Sequence, residues 1–376
     1  MPKAILHIGA PKCGSSSLQS VLSLTPSFKN QSGQAYDYLS VDPKGQILKG
    51  DGLALAARRS PFGYMSAPDL PGDNIEAENA RFHKMFQQSI SDTDAVPVFS
   101  SEGWMARANR FAEAGFLERA GIEAEVVLFV RPPIEWLNSA WWQWGVWCDV
   151  TLQHWMRANI KMTKWAKWAQ SWSNVPGVSK VHLRLAKNDV VGQFCDLIDL
   201  PRLPALRSNT SVSPELLFFF LRNRKYRPGP HSPQIEFILG RWVSFSDRKT
   251  PWAVPPKMRN FIMKSVEEES KELLSLLEPG DAEQVKNDPR WWDAAAYDDY
   301  VMTRKPKTAS RKLIKQLEET VISIGSELPS AELTGDSRAA ALIDVIADHD
   351  AKVKRQRAKA QKRSDTVTTL SALKRA

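Results

Sequence analysis

The stretch Ala4-Ile5-Leu6-His7-Ile8-Gly9-Ala10-Pro11-Lys12-Cys13-Gly14-Ser15-Ser16-Ser17-Leu18-Gln19 decides how the chain is read. Ala4 to Ile8 is a short apolar run of the kind that forms a buried strand. A tight Gly/Pro loop follows, and a helix opens near Gly14, predicted over about Ser15 to Leu24. A strand feeding a helix through such a loop aims backbone N–H groups at one spot, and the helix dipole adds positive potential there. The spot suits a phosphate or a sulfate. Gly9 and Gly14 keep the glycine spacing of the nucleotide-binding pattern G-x-x-x-x-G-K-[ST], but Ser15 stands where that pattern has its lysine. The loop's lysine is Lys12, inside it.

Outward from this stretch, strands and helices alternate. Ile75 to Ile90 has helical spacing, and Val96 to Ser100 reads as a buried strand ending in Ser100-Ser101-Glu102. A helix is predicted around Asn109 to Gly121, and a strand over Glu125 to Val130 that ends in Arg131-Pro132-Pro133. Further on come a strand at Lys180 to Leu185 and a helix at Val190 to Ile198. This alternation predicts an α/β fold with a parallel sheet covered by helices. Lys12, Glu102 and Arg131 each fall just past a strand's C-terminus, the edge at which open α/β sheets bind ligands. Between the first helix and about Asn74 the chain is rich in Gly and Pro. It is read as loop with one short helix, Leu53 to Arg59, either a lid or acceptor loop or a plain surface excursion. Beyond Leu200 the pattern turns helical, with candidates at Pro214 to Arg224, Lys257 to Leu277, Arg311 to Leu328 and Asp336 to about Arg363. The expected organisation is one domain over 1–330, its α/β core at about 1–211 and a helical part at 212–330, then a basic helical tail over 331–376.

Composition narrows the classes. The 376 residues suffice for one large core or two smaller ones. Cys13, Cys148 and Cys195 are too few and too scattered for a disulfide framework or a zinc site. The apolar run at the N-terminus is too short for a secretory signal, and no run reaches membrane-spanning length. A cytoplasmic setting is expected. The net charge is +9, yet Lys352 to Ala376 alone holds nine Lys/Arg against Asp365, leaving the remainder near +1. The basic character belongs to the tail, and nucleic acid is not an expected partner. The tail is read as a solvated helix, with contact to an anionic membrane face or an acidic polymer as alternatives.

Pro-Lys-x-Gly-Ser-Ser after a strand resembles the 5′-phosphosulfate loop of the sulfotransferases that use 3′-phosphoadenosine 5′-phosphosulfate (PAPS). Val127 to Arg131, Pro132-Pro133 and Ser139, eight positions after the arginine, resemble the same family's 3′-phosphate element. Weaker likenesses are Leu183-Arg184, Asp189 to Phe194 and Arg207-Ser208-Asn209-Thr210-Ser211, so that the resemblance covers about Ala4 to Ser211. The family prefers Thr at the positions of Cys13 and of Ser15 or Ser16; Cys13 is the poorer donor. The resemblance implies a P-loop NTPase-like three-layer fold and in-line transfer of a sulfuryl group from PAPS to an acceptor hydroxyl, with adenosine 3′,5′-bisphosphate as product and no metal. Pro11, Lys12, Cys13, Gly14, Ser15, Ser16 and Ser17 would hold the phosphosulfate, while Arg131 and Ser139, joined by Arg207, would hold the 3′-phosphate. Lys12 would meet the charge growing on the bridging oxygen. Glu102 would take the acceptor proton, since a hydroxyl near pKa 15 needs a positioned base; read alone, Ser101-Glu102 is ordinary helix-start chemistry. His7 is expected to be a packed core residue.

The fourteen tryptophans concentrate between Trp136 and Trp172. Trp165, Trp168 and Trp172 share one helical face and are expected in the core. Trp141, Trp142, Trp144 and Trp147 surround a helix, and some of them are candidates for lining an acceptor cleft. A saccharide or glycolipid hydroxyl is the preferred acceptor on this reading. Two readings from other classes stand beside it. A P-loop kinase or NTPase lacks its lysine after Gly14 and an apolar strand ending in a magnesium-binding Asp. A non-catalytic nucleotide- or sulfate-binding protein on the same fold is the other.

Overall fold

The computed structural model describes residues 2–42, 44–70, 75–91, 94–186, 189–203, 213–245 and 250–373, with side chains to residue 356. By contacts the chain divides into two compact units, Met1–Asn209 with Trp252–Met302, and Thr210–Pro251 with Thr303–Ala376.

The first unit is mixed α/β around a mostly parallel sheet. Its strands are β1 (Lys3–Gly9), β2 (Ser27–Lys29), β3 (Ala35–Tyr38), β6 (Val96–Ser100), β7 (Glu123–Val130) and β8 (Val178–Leu185). A separate hairpin pairs β4 (Ser40–Val41) with β5 (Ile47–Leu48). The large sheet has the order β2-β3-β6-β1-β7-β8. β1 lies near its centre, parallel to β6 and β7 on either side, and every residue from Ala4 to Gly9 is buried. That double burial is why its sequence is a continuous apolar run rather than an alternation. Only β2 is antiparallel, an edge strand paired with β3.

The registers bring four strand ends to one edge. His7 lies opposite both Ser100 and Val127, and Val130 lies opposite Leu185. The chain therefore leaves β1, β6, β7 and β8 at neighbouring points, and main-chain bonds continue past the strands. Ala10 N–H donates to Phe129 O at 3.1 Å, Ser101 N–H to His7 O at 3.0 Å and Ala186 N–H to Val130 O at 2.7 Å.

The first helix spans Ser15–Leu24, as its sequence predicts. Pro133 starts the next helix of interest, Pro133–Gln143, where its missing N–H costs nothing. The helix expected over 109–121 is broken: Ala108–Ala114 ends at Gly115, which takes the left-handed conformation (φ 62°), and Phe116–Arg119 restarts it. The stretch read as mostly loop from 25 to 74 holds four short strands and the helix Gly50–Arg59. In the return segment Trp252–Met302, the helix Pro256–Leu276 packs on helices Pro133–Gln143 and Trp165–Ser173. Helix Pro279–Asn287 follows, and its Asp281 accepts from Arg184 Nε at 2.8 Å. Among the described residues no helix is long and apolar enough to cross a membrane.

The second unit is helical: Pro214–Arg222, Gln234–Trp242, Arg311–Ser323 and Gly335–Leu373. Phe219, Phe220, Leu239, Leu313, Leu317, Leu342, Ile343 and Ile346 are buried in it. Asp336, in the first turn of the last helix, ties the unit together: it accepts from Arg222 Nε at 2.7 Å, Arg222 Nη2 at 2.9 Å and the Ala309 N–H at 2.6 Å. These donors, the Arg222 hydrogen bond first, hold its carboxyl below the usual value of 3.8. A depressed carboxyl stabilises the fold above its unfolded pKa and loses that contribution as pH falls through the folded one. Asp336→Asn is thus expected to lower the melting temperature at pH 7. The gap from wild type should close as pH is taken downward from about 4; equal melting at pH 7 contradicts the assignment.

Candidate active site

The loop after β1 is held by its own backbone and by two indoles. Lys12 takes a left-handed conformation, φ 64°, and Gly14 another, φ 92°. A Cβ on Gly14 would stand 2.6 Å from Val190 Cγ2, so the position needs glycine both for its dihedral and for space. Gly14 starts the Ser15–Leu24 helix with no side chain capping it and no acid in the first turn. No acid in the helix's own first turn offsets its N-terminal dipole. Trp136 Nε1 donates to the Pro11 carbonyl at 2.7 Å, and Trp165 Nε1 to the Arg131 carbonyl at 3.0 Å. Both indoles are buried, and each fixes one loop by its main chain.

Arg131, at the end of β7, reaches the first loop directly: its Nη1 donates to the Lys12 carbonyl at 3.3 Å. Its Nη2 pairs with Glu135 Oε2 at 2.8 Å. Glu135 Oε1 takes a second guanidinium, Arg290 Nη1, at 3.0 Å, and Arg290 is further paired with Asp288 at 2.7 Å. These partners, Asp288 foremost, raise the Arg290 pKa and fix its charge. Lys12, Cys13, Gly14, Arg131, Glu135 and Arg290 line one open cavity of about 990 Å³, to which Glu283, Gln284, Asn287 and Trp291 also contribute.

Glu135, Ser139 and Gln143 sit four residues apart on the Pro133–Gln143 helix and so share a face. Glu135 engages Arg131 at one end of this row, and Gln143 Oε1 accepts from Lys12 Nζ at 3.4 Å at the other. Ser139 lies between the two cations' partners along the helix, partly exposed, outside the lining of the large cavity.

Glu102 opens the 3₁₀ turn Glu102–Arg107 after β6. Its Oε1 accepts from Ser16 Oγ at 3.5 Å, and Ser16 Oγ lies 3.4 Å from the Tyr64 hydroxyl. Burial pushes the Glu102 carboxyl above the ordinary 4.5, outweighing Lys12 and the hydroxyls of Ser16 and Ser15, which pull it down. The buried Cys13 thiol is pushed up to about 12 by burial, and it feels Arg131, Glu102 and Lys12 in turn. Lys12 and Arg131 line the cavity together, while Glu102 lies outside its lining and meets the helix start through Ser16.

The remaining expected residues divide. Ser15 turns its hydroxyl to the Ala10 carbonyl at 3.2 Å, and Ser17 is partly exposed in the first turn. Arg207 lies outside the described residues. His7 is fully buried, its Nδ1 2.7 Å from Ser100 Oγ and its pKa lowered by burial to about 3. Trp141, Trp142 and Trp147 are buried, and Trp144 is partly exposed, its ring tilted 51° to that of Trp136. None of them lines the large cavity. Sequence reasoning missed Tyr64, Glu135, Gln143 and Arg290. The helical spacing of Glu135 and Gln143 about Ser139 was a usable signal, while Tyr64 and Arg290 carried none. Among the described residues no group of three or more His, Cys, Asp or Glu side chains could hold a metal ion.

No protein-family model matches the chain, and no curated protein matches it. Solved structures similar to it include a sulfotransferase from Alicyclobacillus acidocaldarius, 14% identical with a TM-score of 0.33, the match covering 64% of this chain and 95% of that one. A sulfotransferase domain from the curacin biosynthetic pathway is 15% identical with a TM-score of 0.30, over 88% and 99%. At these identities and scores neither likeness bears on what this chain does; its own side chains do.

A carboxyl whose folded pKa is raised contributes stability below its unfolded value and loses it as pH rises through the folded one. Ionised Glu102 is therefore a cost to the fold at neutral pH. Glu102→Gln should melt above wild type at pH 8, with the difference vanishing near pH 4. A variant melting below wild type at pH 8 would show that Lys12 and Ser16 outweigh burial.

Proposed function

We propose that the chain is a sulfotransferase, moving the sulfuryl group of PAPS to an acceptor hydroxyl on a P-loop-like α/β core. The observation that carries the reading is the joining of two cationic grips. Arg131 donates to the main chain of Lys12, and both line one cavity at the sheet's C-terminal edge. The fit to a nucleotide donor is supported on three counts. The cavity stands at the upper end of the range for small-molecule sites. The helix start beside it is uncapped and free of acids in its first turn. Two arginines with planar, permanently charged forks face it together with one lysine.

On this reading the backbone N–H groups after Lys12 and the Ser16 and Ser17 hydroxyls hold the 5′ end. Arg131 and Arg290, with Ser139 on the adjoining helix, hold the 3′-phosphate. Gln284 and Asn287 offer amides to the nucleobase. PAPS supplies a sulfuryl group on a phosphate leaving group; the new S–O bond forms to the acceptor as the sulfur–bridging-oxygen bond breaks. Lys12, its ammonium steadied by Gln143, meets the charge left on the bridging oxygen. Glu102 takes the acceptor's proton. Its raised pKa makes it a stronger base than an ordinary carboxylate, at the cost of being protonated sooner as pH falls. The preferred acceptor is a saccharide or glycolipid hydroxyl, and the setting a cytoplasmic one.

Adenosine 3′,5′-bisphosphate at about 100 times its dissociation constant should raise the melting temperature by several degrees, and ATP with magnesium should do much less. Arg131→Ala should abolish that shift. Labelled-sulfate transfer should fall about 10²–10³-fold in Lys12→Ala and about 10²–10⁴-fold in Glu102→Gln. Stabilisation by ATP with magnesium in place of the bisphosphate would favour a kinase or NTPase. Unchanged transfer in Glu102→Gln would remove Glu102 as the base.

A further inference from the structure

The segment following helix Gly50–Arg59 lies as a strap across the strand ends beside Glu102. Ala67 N–H donates to the Ser100 carbonyl at 2.8 Å, Tyr38 OH to the Met65 carbonyl at 2.8 Å and Ser40 Oγ to the Ser66 carbonyl at 2.6 Å. Met65 N–H donates to Ser23 Oγ at 2.9 Å, and Trp104 Nε1 to the Pro68 carbonyl at 2.9 Å. Five separate elements thus fix a stretch of four residues, Met65 to Pro68. A plain surface excursion has no such anchoring.

Just before the anchored stretch stand two aromatic rings, one of them linked to the candidate base. A turn closed by Gly63 N–H to the Ser60 carbonyl at 3.1 Å carries Phe62, and Tyr64 follows it directly. Their ring centroids are 5.9 Å apart at a 40° tilt. Phe62 is 48% exposed, which leaves much of its ring open to a ligand. Tyr64 is half-buried, and its hydroxyl is one link from Glu102, through Ser16. Burial keeps that hydroxyl protonated and hence a donor.

We propose that this turn is the acceptor wall: the Phe62 face stacks on a ring that carries the reacting hydroxyl, and the Tyr64 hydroxyl orients that oxygen toward Glu102. The class of acceptor is an alcohol borne on a six-membered ring with an apolar face, as in a pyranose or a cyclohexanol, rather than a straight-chain alcohol. An aromatic plane gains contact over the whole face of a ring, whereas a flexible chain must be ordered to gain as much. The inference rests on the sulfotransferase reading of the neighbouring site and names the specificity of that site. Phe62 and Tyr64 are specificity and positioning residues.

The test uses the full chain and three probes, phenyl β-D-glucopyranoside, cyclohexanol and 1-hexanol, titrated by saturation-transfer NMR. Wild type should bind both ring probes more tightly than 1-hexanol. Phe62→Ala should weaken the ring probes about five- to tenfold, erasing the preference, and Phe62→Trp should restore it. In turnover assays Tyr64→Phe should raise the KM for the ring alcohols several-fold with a smaller change in kcat. All three variants should keep the wild-type melting shift with adenosine 3′,5′-bisphosphate. Ring-probe affinities within twofold of wild type in Phe62→Ala, or equal binding of 1-hexanol by wild type, would overturn the acceptor wall. Failure of the donor reading shows separately, as loss of the bisphosphate shift in wild type itself.

Discussion

The parallel pairing of β1 with β6 on one side and β7 on the other is the constraint from which the site follows. Because His7 is level with both Ser100 and Val127, the three strands end within three residues of that level, at Ser100, Gly9 and Val130. The loop holding Lys12, the turn holding Glu102 and the elbow holding Arg131 must then meet at one edge. A one-residue slip of β7 would exchange its faces and move Arg131 out of line with the Lys12 carbonyl it now reaches. The residues that set this register, Ile5, Leu6, Val98, Phe99, Val126 and Val127, are all buried and apolar, so the hydrophobic effect that holds the sheet also aligns the polar groups beyond it.

Three buried tryptophans serve that alignment. Trp136 and Trp165 bury large rings and spend their N–H groups on the carbonyls of Pro11 and Arg131. Trp172 does the same for Met105, a few residues past Glu102, at 3.0 Å. Each buried indole N–H needs a partner, and each loop carbonyl inside the protein needs a donor. One side chain satisfies both needs and pins a loop of the candidate site. The charges in the cavity are arranged on the same economy. Glu135 holds two guanidinium groups at once, which keeps Arg131 and Arg290 side by side against their mutual repulsion.

Much of the first unit was legible in the sequence because β1, β6 and β7 are apolar runs buried inside the sheet. They and the half-buried edge strand β8 stand where the sequence predicts strands, and the Ser15–Leu24 helix has its expected bounds. The four strands between 25 and 50 were not legible. Ser27–Lys29 and Ala35–Tyr38 are three and four residues long and partly exposed, and β4 and β5 have two residues each. No periodicity can register over such lengths. The break at Gly115 was hidden for the opposite reason: apolar residues on both sides keep helical spacing across it. At the site, Lys12, Arg131 and Glu102 could be picked out because each follows a strand. Arg290 and Tyr64 could not, since the first comes from a segment 159 positions after Arg131 in the chain and the second from a stretch with no pattern. No shift in composition marks the return of the chain to the first unit at Trp252.

The central claim is that Lys12 and Arg131 grip opposite ends of one adenosine nucleotide. A crystal structure of the protein soaked with adenosine 3′,5′-bisphosphate tests it most directly. The account predicts a single nucleotide whose 5′-phosphate contacts the backbone after Lys12 and whose 3′-phosphate is held by Arg131. A nucleotide bound at one of these residues with its other end turned away from the second, or bound elsewhere on the chain, would contradict it.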